Sequence, residues 1–191
     1  ALGAAYAAWH IWKGKERNIV DGKDSMKGSC LGPFFTGRQI LSAVGKYEAP
    51  YHYYEDFNEL SKYVAQIISE GAVIGWVQGR MEYGPRALGN RSILGDARNP
   101  EMQKKMNLKI KFREGFRPFA PTVLEEDIGD YFELDRPSAY MLLVVPVKKN
   151  RMKPMPEGYH QLPLRDKLYF LRSDIPAITH IDYSARVQSI N

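Results

Sequence analysis

Residues Arg80–Leu94 read RMEYGPRALGNRSIL, and this stretch decides how the rest of the chain is interpreted. Three arginines fall within it, separated by Gly84-Pro85 and by Leu88-Gly89, and the stretch ends in an apolar Ser-Ile-Leu. An arginine on a solvated helix face does not need glycine beside it. An arginine on a turn that approaches an anion does, because glycine lets the backbone come close to the ligand. The pattern therefore predicts an anion-binding turn.

The residue types in this turn suit a phosphate or a carboxylate. A guanidinium stays charged at any working pH and matches either group with two parallel hydrogen bonds. Arg86 and Arg91 can converge on one oxyanion if the chain turns between them. Asn90 adds amide donors and an acceptor, and Ser92 adds a hydroxyl, so both can distinguish an amide-bearing ligand from bare phosphate.

A structural interpretation of the same arginines stays open. Arg80, Arg86 and Arg91 could pair with Glu82, with Asp96 or with backbone carbonyls, and residue types alone do not separate this alternative from an anion site.

A second basic cluster follows at residues 109–119. Four basic side chains alternate with apolar ones here: Lys109, Lys111, Arg113 and Arg117 with Ile110, Phe112, Phe116 and Phe119. Basic residues between aromatic ones can bind single-stranded nucleic acid by stacking and phosphate contacts. The same pattern is also typical of an ordinary edge, with apolar residues facing the core and lysines facing water. Arg117 fits the ordinary edge less well, since it lies between Phe116 and Pro118.

Composition narrows the class of protein. A chain of 191 residues with 44% hydrophobic and 26% charged residues is long enough for one well-buried domain. The net charge of +5 favours anionic partners without choosing among them. Cys30 is the only cysteine, which excludes a disulfide framework and favours the cytoplasm. The apolar opening ALGAAYAAWHIW is too short to span a bilayer, so we expect a packed helix and no membrane partner.

The pattern along the chain predicts helices and strands in mixed order. We expect helices at 1–13, after Thr36 as N-cap, at 55–70, at 99–114 and around 126–132, and a polar linker at 14–29. We expect strands at 72–79, 91–96, 122–124, 139–147, 177–182 and 185–190. Residues 148–176 are basic and proline-rich and could form a flap over the site. This order indicates an α/β (α+β) fold, with a mixed sheet and flanking helices.

Other motifs of catalysis are weak or missing. The four histidines have no metal-ligand spacing, and Cys30 has no evident base nearby in the sequence. The phosphate-binding P-loop, the dinucleotide glycine fingerprint and the Gly-x-Ser-x-Gly pattern are absent. Asp182, Ser184 and Arg186 surround a turn that is either a site or an isolated polar turn.

Three motifs in order resemble one known family. GPRALGNRSIL, then FRPFAP, then DYSARVQ is a pattern that closely resembles the C-terminal domain of the ATP-dependent O-carbamoyltransferases, which modify nodulation factors, cephalosporins and aminoglycosides. The match is strong over residues 71–125 and good over 177–190. The resemblance implies a YrdC-like domain with a twisted mixed sheet. It also implies that carbamoyl phosphate and ATP combine to give carbamoyl-adenylate and pyrophosphate.

The resemblance also implies roles for individual residues. Arg86 and Arg91 would be catalytic, holding the carbamoyl phosphate or the triphosphate, and Asn90 would read the carbamoyl amide. The substrate-binding set would be Arg80, Arg86, Asn90, Arg91, Ser92, Lys109 and Arg117. The nucleotide-binding set would be Lys111, Arg113, Ser184 and Arg186. ATP would come with Mg²⁺, and no metal ligand is expected in this chain.

The family pattern divides the chain at residue 30. Residues 1–30 would be the last helix and linker of an N-terminal actin-like ATPase-type domain. That domain would carry the metal of the full-length enzyme. It would also bring the carbamoyl group to a hydroxyl of a small-molecule or sugar acceptor. Residues 31–191 would be the YrdC-like domain, truncated at its C-terminal end. An RNA-binding YrdC-like module without carbamoyl chemistry is the alternative, and a domain that only partners another subunit is a third, although the resemblance disfavours nucleic acid as a partner.

Overall fold

The computed structural model describes residues 2–18 and 24–191, which form a mixed α+β fold with two small sheets. The helices are α1 (Leu2–Ala7, extended by a π-helical turn at Ala8–Trp12), α2 (Gly37–Lys46), α3 (Phe57–Ser69), α4 (Met102–Lys105, extended by a π-helical turn at Met106–Ile110), α5 (Ile128–Tyr131) and α6 (Leu164–Tyr169). The strands are β1 (Ile74–Val77), β2 (Arg91–Leu94), β3 (Thr122–Leu124), β4 (Leu143–Pro146) and β5 (Ser184–Ile190). The predicted mixed α+β class is confirmed.

Strand β5 is the centre of the three-stranded sheet. It pairs in parallel with β3 and antiparallel with β4, in the order β3-β5-β4. Ala185 and Val187 are fully buried on one face of β5, and they pack with Phe132, Val147 and the methionines of α4 and its π-helical turn. Because side chains alternate along a strand, Ser184, Arg186 and Gln188 point to the other face.

Strands β1 and β2 form a separate antiparallel pair, with Trp76 opposite Ser92. The chain between them is a long hairpin loop, and the backbone N–H of Gln78 donates to the carbonyl of Asn90 at its base, at 3.0 Å. The arginine-rich stretch therefore belongs to an antiparallel hairpin and does not leave the edge of an open parallel sheet. Ile93 of β2 packs against the main core, which fixes the hairpin to the rest of the domain.

The predicted start of α2 is confirmed in detail. The Thr36 hydroxyl accepts from the N–H of Gln39, and the Gln39 side chain accepts from the N–H of Thr36, which is a complete capping box. Asp56 caps α3 through the N–H of Asn58 at 2.8 Å, and the helix begins at Phe57, two residues after the predicted start at 55.

Two predicted strands differ most from the structure. Residues 177–182 form a turn and not a strand, because Ala177 and Ile178 pack into the core while the Thr179 hydroxyl donates back to the carbonyl of Ile175. The strand expected at 139–147 is shorter and begins at Leu143, after a turn in which Met141 has a φ of 54°.

The helices of the N-terminal third of the chain contribute little to the hydrophobic core. Within the described residues, α1, α2 and α3 contain no fully buried side chain, and Ile40, Leu41 and Phe57 of the predicted apolar faces are about half exposed. The linker predicted at 14–29 lies partly outside the described residues. In the part of the chain that the structure describes, no helix has the length and apolar character needed to cross a membrane.

Residues 148–176 fold on themselves. Met152 bridges to Ser173, and Arg172 is buried, donating to the carbonyl of Phe170 at 3.2 Å and to the hydroxyl of Tyr159 at 3.3 Å. The structure thus gives this segment its own small interior, and its role as a flap stays a prediction.

Candidate functional site

The stretch 80–91, called the arginine segment from here on, is built around one buried carboxylate. Glu82 is 4% exposed, and its Oε1 accepts from the backbone N–H of Leu88 at 2.6 Å and of Asn90 at 2.7 Å. Burial raises the pKa of Glu82, but these two hydrogen bonds and the charge of Arg91 outweigh burial and hold the pKa below its usual value. Glu82 is therefore an ionised anchor for the tip of the hairpin.

Two glycines let the chain turn around this anchor. Gly84 has a φ of 109° and Gly89 a φ of 124°, which other residues rarely adopt. The N–H of Gly89 donates to the hydroxyl of Ser92 at 3.1 Å. The N–H groups of residues 88, 89 and 90 are thus all satisfied within the protein, so the backbone of the tip supplies no donors for a ligand at these positions.

Arg80 and Arg91 are held by the protein itself. Arg80 Nη1 donates to the carbonyl of Gly32 at 2.7 Å. Arg91 donates to the carbonyl of Gly84, and its Nε lies 3.5 Å from Glu82 Oε2. These contacts match the structural alternative for the two arginines, while their predicted binding roles remain predictions.

Asn90 has both hydrogens of its amide engaged. Its Nδ2 donates to the carbonyl of Arg80 at 2.6 Å and to the sulfur of Cys30 at 3.1 Å. Among the described residues nothing donates to Asn90 Oδ1, so the side chain offers a hydrogen-bond acceptor and not a donor to any ligand.

The arginine segment lies on the face of β5 that points away from the core. Gln188 of β5 donates through Nε2 to the carbonyl of Leu88 at 2.7 Å, and its Oε1 accepts from the Thr122 hydroxyl at 3.3 Å. Arg186 is two residues earlier on the same face of β5, and Val144, its partner on β4, is 57% exposed beside it.

This docking places Arg86 within electrostatic reach of Arg186. Burial lowers the pKa of the Arg186 guanidinium, and the positive charge of Arg86 lowers that pKa further. Among the described residues, neither guanidinium has a hydrogen bond or a carboxylate partner. Two guanidinium groups within electrostatic reach of each other and without a counter-charge suit the binding of a multivalent anion.

A polar turn precedes Arg186. The Ser184 hydroxyl donates to Asp182 Oδ1 at 2.7 Å and lies 3.1 Å from His180 Nδ1. The pKa of His180 is lowered by burial and by the charge of Arg186, which together outweigh the opposing effect of Asp182. Ser184 itself is buried, which makes its hydroxyl part of the turn's internal bonding.

The cluster at 109–119, called the aromatic–basic segment, is organised separately. Lys109 and Lys111 are exposed, and Arg113 donates to Asn107 Oδ1 at 2.6 Å while lying over the ring of Phe119. Arg117 pairs with Glu114 at 2.9 Å. Within the described residues no hydrogen bond or ion pair joins these side chains to Arg86 or Arg186, and their predicted roles remain predictions.

Sequence reasoning missed three side chains that build the site. Glu82 was considered only as a partner of the arginines, whereas its main contacts are backbone N–H groups. Gln188 is separated from Leu88 by a hundred residues, and Cys30 from Asn90 by sixty. The glutamine of the SARVQ motif was the one available signal, since it follows Arg186 at the spacing of one strand face.

Two other features of the described residues bear on ligands. The described residues contain no group of three or more histidine, cysteine or acidic side chains that could hold a metal ion. A cavity of about 440 Å³ lies below β3 and α5, and Arg98 and Arg151 at its rim are paired with Asp96 and Asp174. This cavity does not include either member of the unpaired arginine pair.

Comparison with known proteins places this geometry in a family. Residues 65–191, more than half of the chain, match the family model described as carbamoyltransferase C-terminus. The chain belongs to the carbamoyltransferase family. The matched region contains the arginine segment, the aromatic–basic segment and β5, so the resemblance stated for these motifs is confirmed.

Three relatives illustrate the similarity. The chain is 52% identical over its whole length to the uncharacterized protein sll1178 of Synechocystis. It is 41% identical over 72% of its length to the nodulation protein NolNO of Sinorhizobium fredii. It is 35% identical over 66% of its length to the 3'-hydroxymethylcephem-O-carbamoyltransferase of Streptomyces clavuligerus. The chain spans 31%, 18% and 20% of the lengths of these relatives.

Proposed function

We propose that the protein binds carbamoyl phosphate and ATP and forms carbamoyl-adenylate for transfer of the carbamoyl group to a hydroxyl of a small-molecule or sugar acceptor. The observation that carries the proposal is the docking of the arginine segment on β5 through Leu88 and Gln188, which brings Arg86 within electrostatic reach of Arg186 while neither has a carboxylate partner in the described chain. Such a pair is electrostatically unfavourable when empty and becomes favourable when an anion binds between the two guanidiniums.

The substrates match this pair in charge. Carbamoyl phosphate, the triphosphate of ATP and the pyrophosphate product are all multivalent anions, and the exposed Val144 beside Arg186 supplies apolar surface next to the charges. Asn90 Oδ1 can accept a hydrogen bond from the carbamoyl NH₂ group. This assigns Asn90 the amide-reading role through its oxygen, because the structure already uses both of its N–H donors.

The reaction balances with one water molecule. Water releases phosphate from carbamoyl phosphate, and the carbamate oxygen then attacks the α-phosphorus of ATP, so that the new P–O bond forms as the bond to pyrophosphate breaks. Negative charge gathers on the transferring phosphoryl group and on the leaving pyrophosphate. Arg86 and Arg186 stabilise that charge and align the reacting oxygens, since their positions are fixed before the substrates bind.

Magnesium enters this proposal with the nucleotide. The described residues offer no acidic cluster for a resident ion, and the nearest carboxylate of the arginine segment, Glu82, is buried and bonded to the backbone. A Mg²⁺ carried on the phosphate oxygens of ATP would neutralise part of their charge. Choice of the acceptor belongs to the N-terminal domain that we propose for the whole protein, and carbamoyl phosphate and ATP point to a cytoplasmic location.

Binding and exchange measurements test the proposal together. We expect saturable calorimetric binding of carbamoyl phosphate, tighter than that of inorganic phosphate, and carbamoyl-phosphate-dependent incorporation of labelled pyrophosphate into ATP. Arg86→Ala should weaken binding at least about tenfold, because a charged bidentate contact is worth about 1.5–3 kcal/mol. The control is Arg136→Ala, which removes an exposed arginine already paired with Asp135. Equal binding by the Arg86 and Arg136 variants would remove the arginine pair from the site.

Binding of single-stranded nucleic acid is a second candidate, favoured by one observation. Phe112 is 85% exposed and has a φ of 47°, and Phe116 is 56% exposed, beside the exposed lysines of the aromatic–basic segment. Exposed rings flanked by cations can stack on bases. Counterion release predicts that such binding weakens steeply with salt and falls in Phe112→Ala. Binding of an RNA oligonucleotide that survives Phe112→Ala would count against this candidate.

A further inference from the structure

The Leu88 peptide is held at both ends by buried side chains from distant parts of the chain. Its N–H donates to Glu82 Oε1 at 2.6 Å, and its carbonyl accepts from Gln188 Nε2 at 2.7 Å. Glu82 is 4% exposed and Gln188 is 3% exposed. Two nearly inaccessible polar side chains thus hold the backbone of one residue on both sides, and we call Glu82 and Gln188 the Leu88 clamp.

The clamp has a definite relation to the arginine pair. Leu88 follows Arg86 by two residues, and Gln188 follows Arg186 by two residues on the same face of β5. Among the described residues, the bond from Gln188 to Leu88 is the one hydrogen bond between the arginine segment and β5. The position of Arg86 relative to Arg186 therefore depends on this contact.

A restraint of this kind is needed, because the two guanidiniums repel each other. Arg86 lowers the pKa of Arg186, and the described residues place no carboxylate between the two groups. Charged side chains on a free loop would separate until the repulsion was screened by solvent. Hydrogen bonds to an ionised carboxylate, and hydrogen bonds in a buried site, are stronger than exposed neutral ones. The Leu88 clamp can therefore oppose the repulsion between Arg86 and Arg186.

We propose that Glu82 and Gln188 are positioning residues for the anion site, which hold Arg86 beside Arg186 through the Leu88 peptide. The proposal rests on the proposed function, since it explains how the same site is preorganised. Gln188 touches neither arginine through a hydrogen bond and acts through Leu88. Gln188 is itself held in place by two hydrogen bonds. Its Oε1 accepts from the Thr122 hydroxyl at 3.3 Å, and its backbone N–H donates to the carbonyl of Pro121 at 3.0 Å.

The decisive variant is Gln188→Met, which keeps the length of the side chain and removes its donor. Calorimetric titration with inorganic pyrophosphate should show a loss of affinity of about fivefold, the equivalent of one neutral hydrogen bond. The matched control is Gln66→Met on the exposed face of α3, where affinity should stay within about twofold.

A double-mutant cycle separates the positioning of Arg86 from a general loss of stability. In the Arg86→Ala background Gln188→Met should change the remaining pyrophosphate affinity by less than about twofold, because the guanidinium that the clamp positions is gone. The same loss in both backgrounds, or no loss in a folded Gln188→Met protein, would overturn the proposal. Wild-type binding that does not depend on Arg86 would instead overturn the proposed function.

A second variant decides the matter if Gln188→Met does not fold. Glu82→Gln keeps an acceptor for the Leu88 N–H but removes the charge, so pyrophosphate affinity should fall, and the fall should again vanish when Arg86 is absent. Unchanged affinity in folded Glu82→Gln protein would show that the clamp does not position the arginine pair.

Discussion

The arginine segment and the aromatic–basic segment are two basic loops with opposite anchors. Glu82 is buried beneath the first loop and accepts from backbone N–H groups. Asn107 is fully buried beneath the second and donates to the carbonyls of Gly115 at 3.2 Å and Arg117 at 2.8 Å. Each loop is thus fixed by one buried polar side chain, and the anchors differ in charge and in hydrogen-bonding direction.

The loops also differ in how their guanidiniums are neutralised. Arg117 has a carboxylate partner on its own loop, whereas Arg86 has none in the described structure and lies within electrostatic reach of the Arg186 guanidinium. Both loops are basic, but among their arginines in the described structure Arg86 alone has neither a hydrogen bond nor a carboxylate partner. Local pairing therefore says more about where an anion binds than the number of basic residues does.

The largest effect in this comparison is expected from Asn107→Ala. It removes the fully buried amide that donates to the carbonyls of Gly115 and Arg117 and accepts from Arg113, and a loss of about 2–4 kcal/mol in the free energy of unfolding follows. Thermal unfolding measures the loss, and exposed Asn150→Ala is the control. If the two loops are independent, pyrophosphate affinity in the folded variant stays unchanged, and a large drop in that affinity would join the aromatic–basic segment to the anion site.

A smaller effect, with a definite pH dependence, is expected from Glu82→Gln. The pKa of Glu82 is lowered in the folded protein, so its carboxylate stabilises the fold above the ordinary glutamate pKa of about 4.3. That contribution is lost as pH falls through the lowered value. At pH 7 the variant should be less stable by about 1–2 kcal/mol.

Thermal unfolding of both proteins between pH 7 and pH 3 gives the measurement. The difference in Tm between wild type and Glu82→Gln should shrink as pH falls below about 4.3, because the wild-type carboxyl then becomes protonated as well. A difference that is constant over this range would mean that the charge of Glu82 does not stabilise the loop.

Local patterns in the sequence predicted most of the elements and less of their arrangement. The Thr36 N-cap, α3 and the short strands followed from caps and periodicity, which depend on neighbouring residues. The strand predicted at 177–182 was wrong because its apolar residues are buried in a turn, and periodicity does not separate the two. The hairpin topology of the arginine segment depends on long-range pairing, which local patterns do not reveal.

In the candidate site, too, local patterns predicted individual residues but not how they are arranged. Arginine beside glycine predicted an anion-binding turn, and Arg86 is free to serve it, whereas Arg80 and Arg91 are held by carbonyls and by Glu82. Arg186 was in the predicted nucleotide-binding set, but its charge interaction with Arg86 joins residues a hundred positions apart. No local pattern specifies such a contact, so the pairing could come only from the folded structure.

The smallest expected change in stability is a gain, and it tests whether the arginine pair is present to bind a ligand. Arg186→Met keeps an apolar stem on β5 and removes a half-buried charge that has no partner in the described chain, so the repulsion with Arg86 disappears. Tm should rise by about 1–3 °C, in line with a gain of about 0.5–1 kcal/mol, while pyrophosphate affinity falls at least about tenfold. Differential scanning calorimetry and titration of the same preparation provide both values. A variant that loses stability along with affinity would mean that Arg186 supports the fold, and only a gain in stability with a loss of binding fits a charge pair kept for its ligand.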